Sequence, residues 1–487
     1  MSLDVKTPEL KTPVKTEESS NRFRQALRTL RWHWNNVAGA DYDADSATTR
    51  PDLPEDDQDR LRRQMRDCLE ARGGEVTARG RAAALGRAYL ALDSSGRERF
   101  LRLLATDFDV VDADVEAAIE ALHNSADVGE RRLARRQLRR ALESPRTTLL
   151  TQFNGLPEGV KFLVNMRAEL QPLLKRDPSL LLLEDDLRAL LATWFDVDFL
   201  ELRRITWDTA SGALLEKLIA YEAVHPIESW EDIKDRLDYD RRYFAYFHPR
   251  MPNEPLIFVE VALVKGMADN VQALLDPQAP VHDPAEADTA IFYSINNAQR
   301  GLNGISFGNF LIKRVVDQLS HEFPQIKTFA TLSPIPGFVS WLKTAVAEGE
   351  SRLILPAERK ALAAAGVRKG ARGWLKGAID AAKWTEDEAL TKALKTILMR
   401  LCIRYLVREK RPNGGVLDPV AHFHLSNGAR MERLNWMGDR SARGLRQSAG
   451  LMINYRYDLA RIDANHEAYR ASGKVALSSA VKTLLDH

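Results

Sequence analysis

The sequence predicts an α+β protein: an all-helical bundle in the N-terminal part, followed by a domain in which helices pack on a mixed sheet. Three observations predict it. From about Asn21 to Leu190 the apolar residues recur at helical spacing, as in "RAAALGRAYLALDSSGRERFLRLLA" and "DADVEAAIEALHNSA". After about residue 190, β-branched and aromatic runs take over, among them "RRYFAYFHP", "EPLIFVEVALV" and "TAIFYSI". Those runs alternate with helical stretches, which excludes both an all-β and an all-α second half. With 487 residues, 45% of them hydrophobic, the chain is long enough for two or more domains, each with its own core.

In chain order, residues 1–20 ("MSLDVKTPELKTPVKTEESS") are polar and rich in Pro, Lys and Glu, and are expected to form a flexible tail. Residues 21–190 are expected to form the bundle, with "GG", "SSG" and "ESP" as turn signals. Within it, "ERRLARRQLRRALE" carries Arg131, Arg135 and Arg139 on one stripe and Arg132, Arg136 and Arg140 on the next. That pattern fits a solvated or subunit-facing helix better than a nucleic-acid helix in a chain of net charge +2. Residues 191–487 are expected to form the sheet domain, with further strands in "IKTFATLS", "VAHFHLSNGA", "MERLNW" and "LMINYRY". Helices are expected near 212–222, 306–320 and 386–409, and residues from about 341 to 408 read as a helical excursion between two sets of strands.

Composition limits the functions available. Lys plus Arg (70) nearly balances Asp plus Glu (68), so no global field draws nucleic acid or an anionic membrane, and an anionic ligand has to be held locally. The only cysteines, Cys68 and Cys402, form no CxxC pair, which argues against a disulfide framework or a cysteine zinc site and for a reducing compartment. No run approaches the roughly 20 apolar residues of a membrane span, and the first residues lack the apolar core of a secretory signal. The expected location is the cytoplasm.

The chemistry-bearing stretches lie in the second half. "TAIFYSINNAQRGLNGISFGNFLIKRVVDQLSHEF" reads as a strand at about 289–295, a glycine-containing turn from Asn296 to Gly304, and an amphipathic helix. A turn of this kind presents backbone N–H groups and a positive helix end to phosphate. Gly301, Gly304 and Gly308 permit close approach, and Arg300 adds charge, although a turn of this kind also serves purely structural ends. It is neither GxGxxG nor GxxxxGK[ST], so dinucleotide and P-loop readings lose their support. Ser333 ends the next strand. Pro334 after it has no N–H to serve as an oxyanion donor and no GxSxG surrounds it, which argues against a hydrolase nucleophile. A strand-ending serine before a proline turn and a hydroxyl donor to an anionic substrate both remain open. His422 and His424, if extended, share a side; without a third ligand motif, proton transfer suits them better than metal. Tyr455 and Tyr457 fall on one face of a short strand, where core packing is the simpler expectation.

Four stretches together resemble the malonyl-CoA decarboxylase family: "EAVHPIESWEDIKDRL" (222–237), "FYSINNAQRGLNGISFGNFLIKRVVDQLSHEFPQIKTFATLSPIPGF" (292–338), "DPVAHFHLSNGARMERLNWMGDRSARGL" (418–445) and "GLMINYRY" (450–457). The resemblance covers most of the chain. It implies a helical domain used for assembly into a dimer or tetramer and a catalytic domain of the GNAT-like acyltransferase fold. It implies Ser333 and His424 as active-site residues, with Tyr457 lining the same site. It implies Asn303, Gly304, Ile305, Ser306, Phe307, Gly308 and Asn309 as the turn that holds coenzyme A, to which the reading of the glycine turn itself adds Arg300 and Gly301. Many relatives carry glutamate where this chain has Ser306, so a carboxylate contact there does not transfer. The implied reaction converts malonyl-CoA into acetyl-CoA and carbon dioxide. Coenzyme A is part of the substrate, and no separate cofactor or metal is called for. A GNAT-type acyltransferase and a noncatalytic coenzyme A-binding protein are the alternatives.

Overall fold

A computed structural model describes residues 34, 49–70, 75–195, 199–305, 311–348, 353–367, 383–412 and 414–486. The expected tail at 1–20 lies outside them. The contacts divide the chain into two compact units. One comprises Met1–Asp196, Pro249–Pro252 and Gln299–Ser306, the other Val197–His248, Asn253–Ala298 and Phe307–His487.

The described residues of the first unit are helical: α1 Glu55–Leu69, α2 Glu75–Ala91, α3 Ser94–Asp107, α4 Asp112–His123, α5 Val128–Ala141, α6 Pro145–Phe153, α7 Gly159–Leu170 and α8 Leu181–Trp194. Local chemistry sets the boundaries. The Asp93 carboxylate accepts from the N–H groups of Ser95 and Gly96, both at 2.9 Å, and so starts α3. Phe100, Leu101 and Leu104 of α3 and Phe162, Leu163 and Val164 of α7 are buried in the core. Helices α4 and α5 pack mainly on each other, and each buries a single alanine, Ala118 and Ala134. All six arginines of α5 are exposed.

The second unit holds an eight-stranded sheet: β1 Glu201–Ile205, β2 Arg241–Phe247, β3 Ile257–Val264, β4 Thr289–Asn297, β5 Thr328–Thr331, β6 Ser333–Pro334, β7 Arg430–Asn435 and β8 Met452–Arg456. Its order is β1-β2-β3-β4-β5-β8-β6, with β7 paired to β8. The helices of this unit are α9 Gly212–Tyr221, α10 Trp230–Asp235, α11 Val271–Leu274, α12 Leu311–Glu322, α13 Phe338–Ala347, α14 Pro356–Ala364, α15 Glu388–Arg408, α16 Pro419–Ser426, α17 Ala442–Ser448, α18 Ile462–Ser472 and α19 Ser479–Asp486. The α+β class expected from the sequence is the class observed.

The sheet is mixed because one pair is parallel. β4 and β5 run together only from Thr289–Phe292 against Thr328–Thr331, while β4 continues along β3 to Asn297. Beyond Thr331 the chain turns to β8, where Ser333 opposes Ile453. The parallel pair therefore splays apart at its C-terminal end. Alternation along the strands assigns the two faces. Ala330, Leu332 and Met452 enter one apolar cluster with Ile291 and Tyr293. Thr331, Ser333, Ile453 and Tyr455 therefore point to the opposite face.

Two readings needed correction. "VAHFHLSNGA", expected as a strand, is the helix α16, because the Asp418 carboxylate caps it and Pro419 occupies its first turn, where no N–H is needed. Strand β1 was not expected: "ELRRI" is rich in charge, yet it forms the sheet edge against β2. Between Trp341 and Arg408 the described residues contain α13, α14 and α15 and no strand.

Candidate active site

Ser333, His424 and Tyr457, far apart in the sequence, form one hydrogen-bonded row in the second unit. The Ser333 Oγ lies 3.1 Å from His424 Nε2, and His424 Nδ1 lies 2.8 Å from the Tyr457 hydroxyl. All three side chains are buried. Three elements deliver them: the β5–β6 strand end carries Ser333, the last turn of α16 carries His424, and the residue following β8 carries Tyr457. The Tyr457 N–H donates to the Phe329 carbonyl at 2.8 Å, holding that chain end against β5.

Proton positions follow from the network. Ser333 donates to Thr331 Oγ1 at 2.8 Å, which leaves the serine oxygen free to accept from the ring. Burial pushes the Tyr457 phenol well above its ordinary pKa, so it keeps its proton and donates it to Nδ1. The imidazole is therefore the neutral tautomer protonated on Nε2. Burial alone lowers the His424 pKa to about 3, so the ring stays uncharged at physiological pH. The Tyr455 ring stacks on it with centroids 4.5 Å apart and 23° between planes, fixing its tilt.

A neutral buried histidine makes stability depend on pH in a defined sense. The unfolded chain takes up a proton at this residue below about pH 6.5, whereas the folded chain resists it down to about pH 3. The stabilisation is complete above the unfolded value and is lost as pH falls. The loss amounts to about 2 kcal/mol by about pH 5. His225, lowered to about 4 mainly by burial, acts in the same direction, and Glu260, raised by burial and by the Glu222 charge, acts in the opposite one. The informative measurement compares wild type with His424→Asn. Urea unfolding at about pH 7.5 and about pH 5 is expected to show the wild type losing about 2 kcal/mol more than the variant. Equal losses would mean that the imidazole is not buried in its neutral form.

One residue of the site, Thr331, was not singled out in the sequence. Thr331 is fully buried; its Oγ1 accepts from the Tyr455 N–H at 3.1 Å and from Ser333, so it fixes the serine hydroxyl. Its position two residues before Ser333, on the same strand face, is the signal that could have found it. Tyr455 was assigned to the core, and it also supplies the stacking surface. His422 does not join the row. Two residues apart on a helix, the two histidines point about 200° apart, and His422 Nδ1 instead pairs with the Tyr469 hydroxyl at 2.8 Å.

The expected coenzyme A turn lies partly in the described residues. Gly301 is buried against α7, where a Cβ would sit 1.8 Å from the Val164 carbonyl oxygen. Arg167, paired with Glu184, donates to the carbonyls of Gly301 at 2.6 Å and Asn303 at 2.9 Å. The N–H groups of Leu302, Asn303 and Ile305 close the turn onto its own carbonyls. Arg300, Asn303 and Gly304 are exposed and Ile305 is buried. Gly304 has φ +77°, where a side chain would be strained. Ser306, Phe307, Gly308 and Asn309 lie outside the described residues.

Neither cysteine is a candidate nucleophile: both are buried, the Cys68 thiol is pushed up to about 12, and Cys402 is raised as well. Among the described residues, no helix is long and apolar enough to cross a membrane.

Comparison with known proteins places these features in context. The family profile described as "Malonyl-CoA decarboxylase C-terminal domain" matches residues 198–487, and "Malonyl-CoA decarboxylase N-terminal domain" matches 108–195. The chain is 39% identical over 360 residues to the mitochondrial malonyl-CoA decarboxylase of Mus musculus, covering 72% of this chain and 73% of that protein. It is 37% identical over 421 residues to the mitochondrial enzyme of Anser anser anser, covering 83% of each. Among solved structures, malonyl-CoA decarboxylase from Rhodopseudomonas palustris matches with a TM-score of 0.79 and 42% identity, over 88% of this chain and 99% of that one. The protein from Agrobacterium vitis matches with 0.78 and 39%, over 87% and 99%.

Proposed function

The chain belongs to the malonyl-CoA decarboxylase family of carboxy-lyases, and from that premise we propose that it converts malonyl-CoA into acetyl-CoA and carbon dioxide at the Ser333–His424–Tyr457 row. The observation that carries the reading is the row itself. It joins a hydroxyl, a neutral imidazole protonated on Nε2 and a protonated phenol in one buried line.

The chemistry needs little else. When the bond between the carboxylate carbon and the α-carbon breaks, its electron pair moves onto the α-carbon and into the thioester carbonyl, giving an enolate and carbon dioxide. The thioester is the electron sink, so no metal or organic cofactor is required. The developing oxyanion needs donors, and the row supplies the His424 Nε2–H and the Ser333 hydroxyl, which turn to the bound thioester from their partners Ser333 Oγ and Thr331 Oγ1 in the free protein. A site shut from water strengthens both interactions and favours loss of the uncharged product.

Protonation of the α-carbon completes the reaction. A ring with a pKa of about 3 does not carry a second proton, so His424 acts as a conduit. Its Nε2 proton passes to the α-carbon while Tyr457 passes its own proton to Nδ1, and the phenol is reprotonated from solvent. One proton is consumed for each carbon dioxide released.

The direct test is purified protein with malonyl-CoA, following acetyl-CoA and carbon dioxide together, with methylmalonyl-CoA as comparator. Equal amounts of the two products without any added amine are expected. Product formation that depends on an amine would assign the chain to the acyltransferases instead.

A further inference from the structure

We infer that Asp418 is a positioning residue for this reaction: one buried carboxylate ties the turn that follows Ser333 to the helix that carries His424, and thereby sets the distance between the two. The inference rests on the reading of Ser333 and His424 as the reacting pair.

The two segments are 91 residues apart in the chain, and neither side chain has a covalent reason to meet the other. Asp418, with no exposed surface, lies between them. Its Oδ1 accepts from the N–H groups of Val420 at 3.0 Å and Ala421 at 2.9 Å, which starts α16 and so fixes the rotation of His424 six residues on. Its Oδ2 accepts from the Tyr405 hydroxyl of α15 at 3.2 Å. Burial raises the Asp418 pKa, and the Gly337 N–H, four residues after Ser333, acts against it together with the Ala421 N–H and the Tyr405 hydroxyl by favouring the charged form. Gly337 has to be glycine for this approach, because a Cβ there would sit 2.1 Å from the Tyr405 hydroxyl and 3.6 Å from Asp418 Oδ2. The Tyr405 ring is in turn held by Phe338 and Trp341 of α13, with centroids 6.1 and 5.4 Å away.

The carboxylate thus has donors on both sides, and its two oxygens serve different segments. Asparagine separates the two tasks. Its carbonyl oxygen still caps α16, but its NH₂ group places a donor against the Gly337 N–H. The helix stays capped while the serine turn loses its anchor. A misplacement on the order of 1 Å between reacting groups can cost about 10²-fold in rate.

The experiment measures kcat and KM for malonyl-CoA in Asp418→Asn, Ser333→Ala and the double variant. Asp418→Asn is expected to lower kcat by roughly 10- to 100-fold with KM within about twofold. In the Ser333→Ala background the same change is expected to cost less than about threefold, because no hydroxyl remains to be aligned. A purely structural role would not give that non-additivity. The inference is overturned by an unchanged kcat in Asp418→Asn, or by an equal fold-loss in both backgrounds. Full activity in Ser333→Ala would remove the underlying reading and this inference with it, whereas a slow Ser333→Ala beside an unimpaired Asp418→Asn removes only the inference. If Asp418→Asn does not fold, Tyr405→Phe decides. It deletes the donor to Oδ2 while keeping the ring, and kcat is expected to fall about threefold or more at unchanged KM. An unchanged kcat there overturns the inference.

Discussion

His424→Ala is expected to lower kcat for malonyl-CoA decarboxylation by roughly 10²- to 10⁴-fold, with KM changed by less than about threefold. The substitution removes the Nε2–H, which is at once a donor to the enolate oxygen and the source of the α-carbon proton. The remaining groups do not replace it. The Tyr457 hydroxyl reaches the site only through Nδ1, and the Ser333 hydroxyl has a single proton, which its own hydrogen bond to the enolate oxygen uses. The loss belongs in kcat because these interactions strengthen only as charge develops on the thioester. The pH profile separates this account from one that uses an imidazolium. A ring with a pKa of about 3 contributes no change in rate near pH 6.5, so wild-type kcat is expected to be flat there. Near-normal turnover in His424→Ala, or a wild-type rate that rises steeply as the ring of an ordinary histidine protonates, would remove the relay.

The sheet strands and the residues of the row could be read in the sequence for different physical reasons. β2, β3 and β4 announce themselves through nearly continuous apolar runs, because central strands covered on both faces tolerate few polar residues. β1 escaped the same reasoning: at the sheet edge "ELRRI" keeps its charged side chains in solvent, so its residues carry almost no strand signal. The reversal at "VAHFHLSNGA" has a sharper cause. Ten residues with two histidines, a phenylalanine and a valine look equally well like strand or helix. The decision lies one residue upstream, where Asp418 and Pro419 form a helix start. Ser333, His424 and Tyr457 were reached through the motifs around them, since a serine before proline and a histidine between apolar residues have structural uses too. Strand alternation places Thr331 on the face of Ser333 and Tyr455 on that of Tyr457, and a capping signal marks Asp418, but which partners these side chains meet is set only once the segments are assembled.

Ser333→Ala is expected to lower kcat by roughly 10²- to 10³-fold, the usual cost of removing one donor aimed at a developing oxyanion. It should leave the fold intact, because alanine keeps the backbone pairing of residue 333 with Ile453 and the hydroxyl is a small buried group. Its loss frees Thr331 Oγ1 from one of two donors and leaves the Nε2–H of His424 without its acceptor. That unpaired donor costs about 1–3 kcal/mol of stability in the free enzyme. The cost falls on the ground state, and bound substrate offers the ring a new acceptor. KM is therefore expected to stay level or fall slightly as kcat drops, a pattern that loss of simple binding does not produce. Ser333→Thr keeps a hydroxyl on the same carbon and should recover part of the rate if the donor is what matters. Kinetics in which Ser333→Ala raises KM and leaves kcat untouched would make this serine a binding group for the carboxylate. Stabilisation of the enolate oxygen would then fall to His424 alone.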